Sequence, residues 1–75
     1  MNNNEFKLGT YRHFKGKMYE AIGLAKNSET LEDMVIYRAL YGDYSTWVRP
    51  LSMWNETVEV DGKKYKRFTY VEKKL

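Results

Sequence analysis

Two arginines, Arg38 and Arg49, lie within segments that otherwise have the composition of a protein core, VIYRAL and TWVRPL. A guanidinium group is planar, binds carboxylate or phosphate through paired hydrogen bonds and stacks on aromatic rings. Beside Tyr37 and Trp47, such groups could hold a nucleotide base or a phosphate. We therefore take Arg38, Arg49, Trp47 and Tyr37 as candidate ligand-binding residues.

A polar segment supplies further candidates, Ser28, Glu29 and Thr30, directly after Asn27. Hydroxyl and carboxylate groups in a loop can contact a ligand. The same side chains also stabilise turns by hydrogen bonding to the backbone, which is the simpler interpretation. We keep the three residues as candidates for the border of the site.

The sequence offers little for catalysis or metal binding. It contains one histidine, His13, and no cysteine, so an ordinary zinc site cannot be assembled from it. Ser28, His13 and an acid could be written as a triad, but a triad is defined by geometry. We therefore predict no catalytic residue, no metal ligand and no cofactor.

The overall composition indicates one small soluble domain. Its 75 residues include 12 aromatic side chains (2 Trp, 7 Tyr and 3 Phe) and carry a net charge of +3, which is compatible with an anionic partner. No apolar run approaches the roughly 18 residues of a membrane span. The amino-terminal segment lacks the pattern of a signal peptide. We expect a cytoplasmic protein without membrane contact and leave its oligomeric state open.

Short runs rich in Tyr, Val, Thr, Phe and Trp alternate with glycines, a pattern typical of an all-β sandwich or barrel. A short helical turn is predicted at 52–54. The predicted strands are 10–14, 18–25, 34–41, 46–51, 56–60 and 64–71. We divide the chain into a tail at 1–8, one domain at 9–71 and a second tail at 72–75.

The last two predicted strands flank Asp61 and Gly62, a pair typical of a two-residue type I′ hairpin. Such a turn determines the register of the hairpin, and the resulting neighbours are chemically compatible. The predicted pairs are Val60 with Lys63, Glu59 with Lys64, Val58 with Tyr65, and Glu56 with Arg67.

The turn GDYS (42–45) leads to a different expectation for the third and fourth strands. A two- or four-residue loop places Arg38 opposite Arg49, with Trp47 on the same face. Facing like charges are destabilising, so either an acid or a bound anion should neutralise them. A three-residue loop would instead send the two arginines to opposite faces. The candidate acids are Glu29, Glu32, Asp33 and Asp43.

The order of the segments GTYRHFKGKMYEAIGLAKNSET, VIYRALYGD, WVRPL and DG followed by RF resembles a small bacterial family, domain of unknown function 1653. The resemblance covers about Gly9 to Val71. It implies a small SH3-like barrel or roll of about five to six short strands, and it brings no reaction with it. The family pattern has His where this chain has Asn27, and Phe where it has Trp54.

These observations favour a non-catalytic binding module for an anionic ligand: RNA, a nucleotide or an acidic peptide. The alternative is a structural or protein-interaction domain, in which Arg38 and Arg49 serve only in internal salt bridges. A small enzyme is the least favoured hypothesis, because 75 residues leave little room for a catalytic pocket.

Overall fold

The structure, a computed structural model, describes residues 6–71, so the predicted tail segments at 1–5 and 72–75 lie outside the described residues. The all-β class is confirmed, with a single helical turn in this part of the chain. The elements are β1 (Gly9–His13), β2 (Met18–Lys26), β3 (Asp33–Ala39), β4 (Thr46–Pro50), α1 (Leu51–Trp54), β5 (Thr57–Val60), β6 (Lys63–Lys66) and β7 (Phe68–Val71).

The strands form two antiparallel sheets. The larger has the order β4-β3-β2-β1-β7, and β5 pairs with β6 in a separate ribbon. Within residues 6–71 no ladder joins β4 to β7, so the larger sheet is open and the expected SH3-like barrel is not confirmed. The predicted strand at 64–71 is divided into β6 and β7 at Arg67.

An aromatic core covers one face of the larger sheet, the inner face. Alternate residues of β3 point there, and Val35 and Tyr37 are buried. α1 places Trp54 on this face, stacked on Phe68 with ring centroids 3.8 Å apart. The rings of Tyr11 and Tyr37 meet Trp54 edge-on at 5.1 and 5.0 Å. Large rings thus provide most of the core that so short a chain can bury.

β2 runs from one end of the larger sheet to the other. The turn at 14–17 precedes this strand and the loop at 27–32 follows it. A nine-residue strand is about 30 Å long, so the turn and the loop lie at opposite ends of the sheet. None of the helical structure in residues 6–71 is long and apolar enough to span a membrane.

The predicted hairpin of the last strands is confirmed. Asp61 and Gly62 have φ values of 52° and 81°, as a type I′ turn requires. The β5–β6 register is the expected one, with Val60 opposite Lys63 and Val58 opposite Tyr65. Beyond the ladder, Glu56 and Arg67 form the predicted ion pair at 3.0 Å.

The predicted register of β3 and β4 is wrong. Arg49 lies opposite Val35, and Arg38 lies opposite Thr46. The backbone of Ala39 donates to the carbonyl of Ser45, so the loop between them has five residues, 40–44. An odd shift of register reverses the faces of one strand relative to the other, and the two arginines therefore lie on opposite faces.

Candidate functional site

His13, at the end of β1, is held in a defined orientation. Its Nδ1 accepts a hydrogen bond from the backbone N–H of Lys15 at 3.2 Å. The ring lies against Phe14 and Phe68, with centroid distances of 4.5 and 5.1 Å. With Nδ1 used as an acceptor, the neutral imidazole carries its proton on Nε2 and can donate from that atom to a ligand.

Three cations surround this imidazole, one from each of three chain segments. Partial burial of the ring and the charges of Arg67, Arg49 and Lys15 hold the pKa of His13 below its ordinary value of 6.5. The histidine is therefore neutral at pH 7, and its protonated form is disfavoured by its neighbours. A bound anion would reverse that preference, because opposite charge favours the charged form.

Arg49 is one of the three cations near His13, and it lies on the inner face of β4. Its guanidinium carbon lies 6.0 Å from the centre of the Phe68 ring. Its Nε is buried without a hydrogen-bond partner, and the side chain makes no ion pair with any carboxylate of residues 6–71. A contact with an aromatic face compensates such a cation only in part.

Arg67 differs from Arg49 because it has a counter-ion. Its Nη2 donates to Oε1 of Glu56 at 3.0 Å, and its side chain is 21% exposed. Among the described residues near His13, Glu56 therefore neutralises Arg67 but not Arg49, and the local charge remains positive.

Tyr19, in β2, lies near His13 but adds no negative charge. Its hydroxyl is 2.6 Å from that of Tyr41. Burial, followed by this hydrogen bond, raises the pKa of Tyr19 to about 12. The phenol thus stays protonated at physiological pH and does not offset the neighbouring cations.

On the other side of His13 lies an open cleft of about 370 Å³, between the turn at 14–17, β6 and the start of β7; we call it the basic cleft. All its charged lining residues are basic, and none of them pairs with a carboxylate of residues 6–71. Its lining residues are Arg12, His13, Phe14, Lys15, Gly16, Tyr65, Lys66 and Thr69.

Two aromatic rings stand in this cleft, Phe14 and Tyr65. Their planes are 20° from parallel, and their centroids are 6.3 Å apart. Tyr65 is 42% exposed. Fixed cations next to an exposed ring can hold an anion that carries a flat group. His13 can assist as a donor, whereas its occupied Nδ1 makes it a poor general base.

The structure separates the predicted arginines. Arg38 lies on the outer face, where its Nη2 is 3.8 Å from Oε1 of Glu20, its neighbour on β2. Glu20 was not among the acids expected to neutralise it. The shared Arg38–Arg49 face is therefore wrong, because it depended on the incorrect register.

The aromatic candidates also have different environments. Tyr37 is a core residue with 6% exposure, and it lies opposite Trp47 in the β3–β4 ladder. Trp47 is 57% exposed on an edge strand. Of the predicted set, only Arg49 lies close enough to His13 to influence its titration. Ligand binding by the set as a whole stays a prediction.

The segment Ser28–Thr30 forms a hydrogen-bonded turn. Oδ1 of Asn27 accepts from the backbone N–H groups of Glu29 at 2.9 Å and Thr30 at 3.3 Å. The turn lies at the opposite end of β2 from the basic cleft, so Ser28, Glu29 and Thr30 do not border it. Asn27 thus has a structural role at the position where the family pattern has His.

A second, smaller cleft lies at this opposite end. It has a volume of about 250 Å³ and is lined by Glu32, Asp33, Leu51, Ser52 and Asn55. Asp33 is already paired with Lys26 at 2.9 Å. Within residues 6–71 no group of three or more His, Cys, Asp or Glu side chains is arranged to bind a metal ion.

The sequence interpretation did not identify the basic cleft. It considered His13 only as a metal ligand or as a member of a catalytic triad. A local signal was present in Arg12-His13-Phe14-Lys15, where basic and aromatic side chains alternate. The contribution of Tyr65 and Lys66 could not be found locally, because about fifty residues separate them from this segment.

Comparison with known proteins identifies the family. The family model described as "Protein of unknown function (DUF1653)" matches residues 9–70. No curated protein matches this sequence. A crystal structure from Bordetella bronchiseptica, of a protein described as belonging to DUF1653, is 42% identical, with a TM-score of 0.83 over 93% of this chain and 92% of that chain. The chain therefore belongs to the DUF1653 family, as its motifs suggested.

Proposed function

We propose that this domain is a non-catalytic binding module whose basic cleft takes an anionic ligand: RNA, a nucleotide or an acidic peptide. One observation carries the proposal. Arg12, Lys15 and Lys66 line a single cleft to which residues 6–71 contribute no acidic side chain. The positive charges of Arg49 and Arg67 also act on His13, which lines the same cleft.

The physical argument is that like charges gathered in one place destabilise a folded chain and attract counter-ions. Elsewhere on the domain Lys26 pairs with Asp33 and Arg38 pairs with Glu20. Other lysines, such as Lys63 and Lys64, also pair with no carboxylate of residues 6–71, but they do not line the cleft. The presence of three such cations in one cleft supports a ligand site there, because a bound anion would neutralise them, and the pair with Glu20 supports a structural role for Arg38.

A second candidate function is protein interaction through the open edge of β4. Trp47 and Val48 are 57% and 60% exposed there. An edge strand presents unpaired backbone groups to another chain. This hypothesis needs no anion and predicts no effect of substitutions in the basic cleft.

Binding of inorganic polyphosphate, a plain polyanion, tests the proposal. Lys15→Ala and Lys66→Ala should each weaken binding several-fold and lower its salt dependence. Lys63→Ala is the matched control, because Lys63 is an exposed residue of the same strand as Lys66 but does not line the cleft. Equal losses in all three variants, or no binding to the wild type, would refute a localised anion site.

His13 provides an independent readout, since it is the single histidine of the chain. Its ring resonances can be followed by NMR while polyphosphate is added. The pKa of His13 should rise on binding, because an anion beside the imidazole favours its protonated form. An unchanged titration curve at saturating polyphosphate would place the anion elsewhere.

A further inference from the structure

We propose that the ligand of the basic cleft is single-stranded nucleic acid, with one base stacked on Tyr65 and the adjoining phosphates held by the surrounding cations. This inference rests on the proposed function and names its ligand class. It is carried by the position of an exposed, supported aromatic ring among cations that pair with no carboxylate of residues 6–71.

Tyr65 is held as a rigid platform. It lies in β6 opposite Val58, so the ribbon restrains its backbone. The ring of Phe14 lies near-parallel to it, with centroids 6.3 Å apart. Phe14 is itself anchored, because its backbone N–H donates to the carbonyl of Arg67 at 3.0 Å. The exposed part of the Tyr65 ring is therefore presented in a defined orientation before any ligand arrives.

The cations that line the cleft come from different segments of the chain. Arg12 belongs to β1, Lys15 to the turn after β1, and Lys66 follows Tyr65 in β6. A backbone of regularly spaced phosphates can meet several of them, whereas a single carboxylate meets only one or two. Cations along a groove with an aromatic platform inside it are the arrangement that proteins use for single strands.

The ring also discriminates between anions. The face of an aromatic ring is the negative part of its quadrupole, so it disfavours a carboxylate placed above it. A flat base can stack there at a gain of about 1–3 kcal/mol. The exposed part of the Tyr65 ring thus favours nucleic acid over an acidic peptide.

The size of the cleft favours a single strand over a duplex. At about 370 Å³ it lies near the lower end of small-molecule sites. In a duplex the faces of the bases are hidden in the stack, so only an unpaired base can contact Tyr65. We expect the cleft to hold one or two nucleotides of a longer strand.

The test compares three labelled probes with wild-type protein: a single-stranded oligonucleotide of about eight nucleotides, an abasic backbone of equal length, and poly-glutamate. Two substitutions separate the contribution of the aromatic ring from that of its hydroxyl group, Tyr65→Ala and Tyr65→Phe. Tyr44→Ala is the control, since Tyr44 is 55% exposed in the loop at 40–44, away from the cleft lining. The His13 resonances report whether each variant is folded.

We expect Tyr65→Ala to weaken oligonucleotide binding by roughly tenfold or more and to leave abasic-backbone binding unchanged. Tyr65→Phe and Tyr44→Ala should bind the oligonucleotide as the wild type does. Three results would overturn the inference. Wild-type protein could bind the abasic backbone as tightly as the oligonucleotide, or bind poly-glutamate more tightly than the oligonucleotide. Alternatively, Tyr65→Ala could bind the oligonucleotide as tightly as the wild type does.

The proposed function can survive that result. If stacking fails but Lys66→Ala still weakens polyphosphate binding relative to Lys63→Ala, the cleft is an anion site for another ligand class. If that charge effect is also missing, both the proposed function and this inference are wrong.

Discussion

Glu56 holds Arg67 at two points. The carbonyl of Glu56 accepts from the backbone N–H of Arg67 at 2.9 Å, and its carboxylate accepts from Nη2 at 3.0 Å. The carbonyl of Arg67 then accepts from the N–H of Phe14 at 3.0 Å. This junction divides β6 from β7 and ties the ribbon to the turn after β1. It therefore positions both walls of the basic cleft.

Glu56→Gln should lower the free energy of unfolding by roughly 0.5–1 kcal/mol, because the ion pair to a largely covered guanidinium is lost while the backbone bond remains. Asp33→Asn is the matched control, since the Lys26–Asp33 pair is exposed on both sides, at 65% and 50%. It should cost less than about 0.5 kcal/mol. Urea unfolding measures both, and equal losses would show that the Glu56–Arg67 pair is no more than a surface contact.

Trp54→Ala should unfold the domain or nearly so. Trp54 is 1% exposed and stacked on Phe68, and truncating such a residue costs about 3–5 kcal/mol. Domains of this size have little stability to lose. Trp47→Ala removes an equally large ring that is 57% exposed and should cost less than about 1 kcal/mol. Circular dichroism with urea compares them; a folded, stable Trp54→Ala variant would contradict the aromatic core described above.

Gly62→Ala should destabilise the domain by about 1–2 kcal/mol. The backbone at Gly62 has a φ of 81°, which a Cβ atom disfavours although no atom lies within 4 Å of it. Gly23→Ala is the control: its Cβ also meets nothing within 4 Å, and its φ is not in the left-handed range. That change should be neutral or stabilising by up to about 1 kcal/mol. Thermal unfolding of the two variants distinguishes backbone strain from steric crowding by the added Cβ atom. Equal effects of Gly62→Ala and Gly23→Ala would rule out the strained turn.

The stability of the domain should fall as the pH drops through 6.5. The unfolded chain takes up a proton at His13 near the ordinary pKa of 6.5, whereas the folded chain does so only at lower pH. Between those pKa values the unfolded state binds more protons, so acidification favours unfolding. The loss is complete once the pH is below the folded pKa, and it is absent above about pH 7.5.

Thermal unfolding of the wild type and of His13→Asn at several pH values measures this effect. The groups facing His13 are Lys15 from the turn, Arg67 from the β6–β7 junction, Arg49 from β4 and Tyr19 from β2. His13→Asn should show a smaller decline, and an identical decline would assign the pH dependence to other residues.

The predicted register is correct for the β5–β6 hairpin and wrong for the β3–β4 hairpin, and both outcomes depend on the length of the connecting turn. Asp61-Gly62 is a two-residue turn that leaves one register, so Glu56 and Arg67 could be paired from the sequence. The loop at 40–44 contains two residues with positive φ, Gly42 and Tyr44, at 63° and 57°. The length of this loop could not be determined from residue types. A register error of an odd number of positions moves every side chain of the strand to the other face of the sheet.

The candidate site was less predictable than the fold. The sequence drew attention to Arg38, Arg49 and Trp47 because they interrupt apolar runs. One of these, Arg49, acts on His13 but does not line the basic cleft, whose lining residues come from segments far apart in the sequence. Lys66 and Tyr65 meet Phe14 and Lys15 only because the Arg67 junction brings the ribbon against the first turn.

By itself the sequence determined the all-β class, the final hairpin and the Glu56–Arg67 pair, since alternation and a two-residue turn act between near neighbours in the chain. The tertiary structure alone decided that Arg38 pairs with Glu20 on the outer face while Arg49 joins His13 on the inner one. It also decided which cations share a cleft. These outcomes depend on loop length and on packing between distant segments, which residue types do not encode locally.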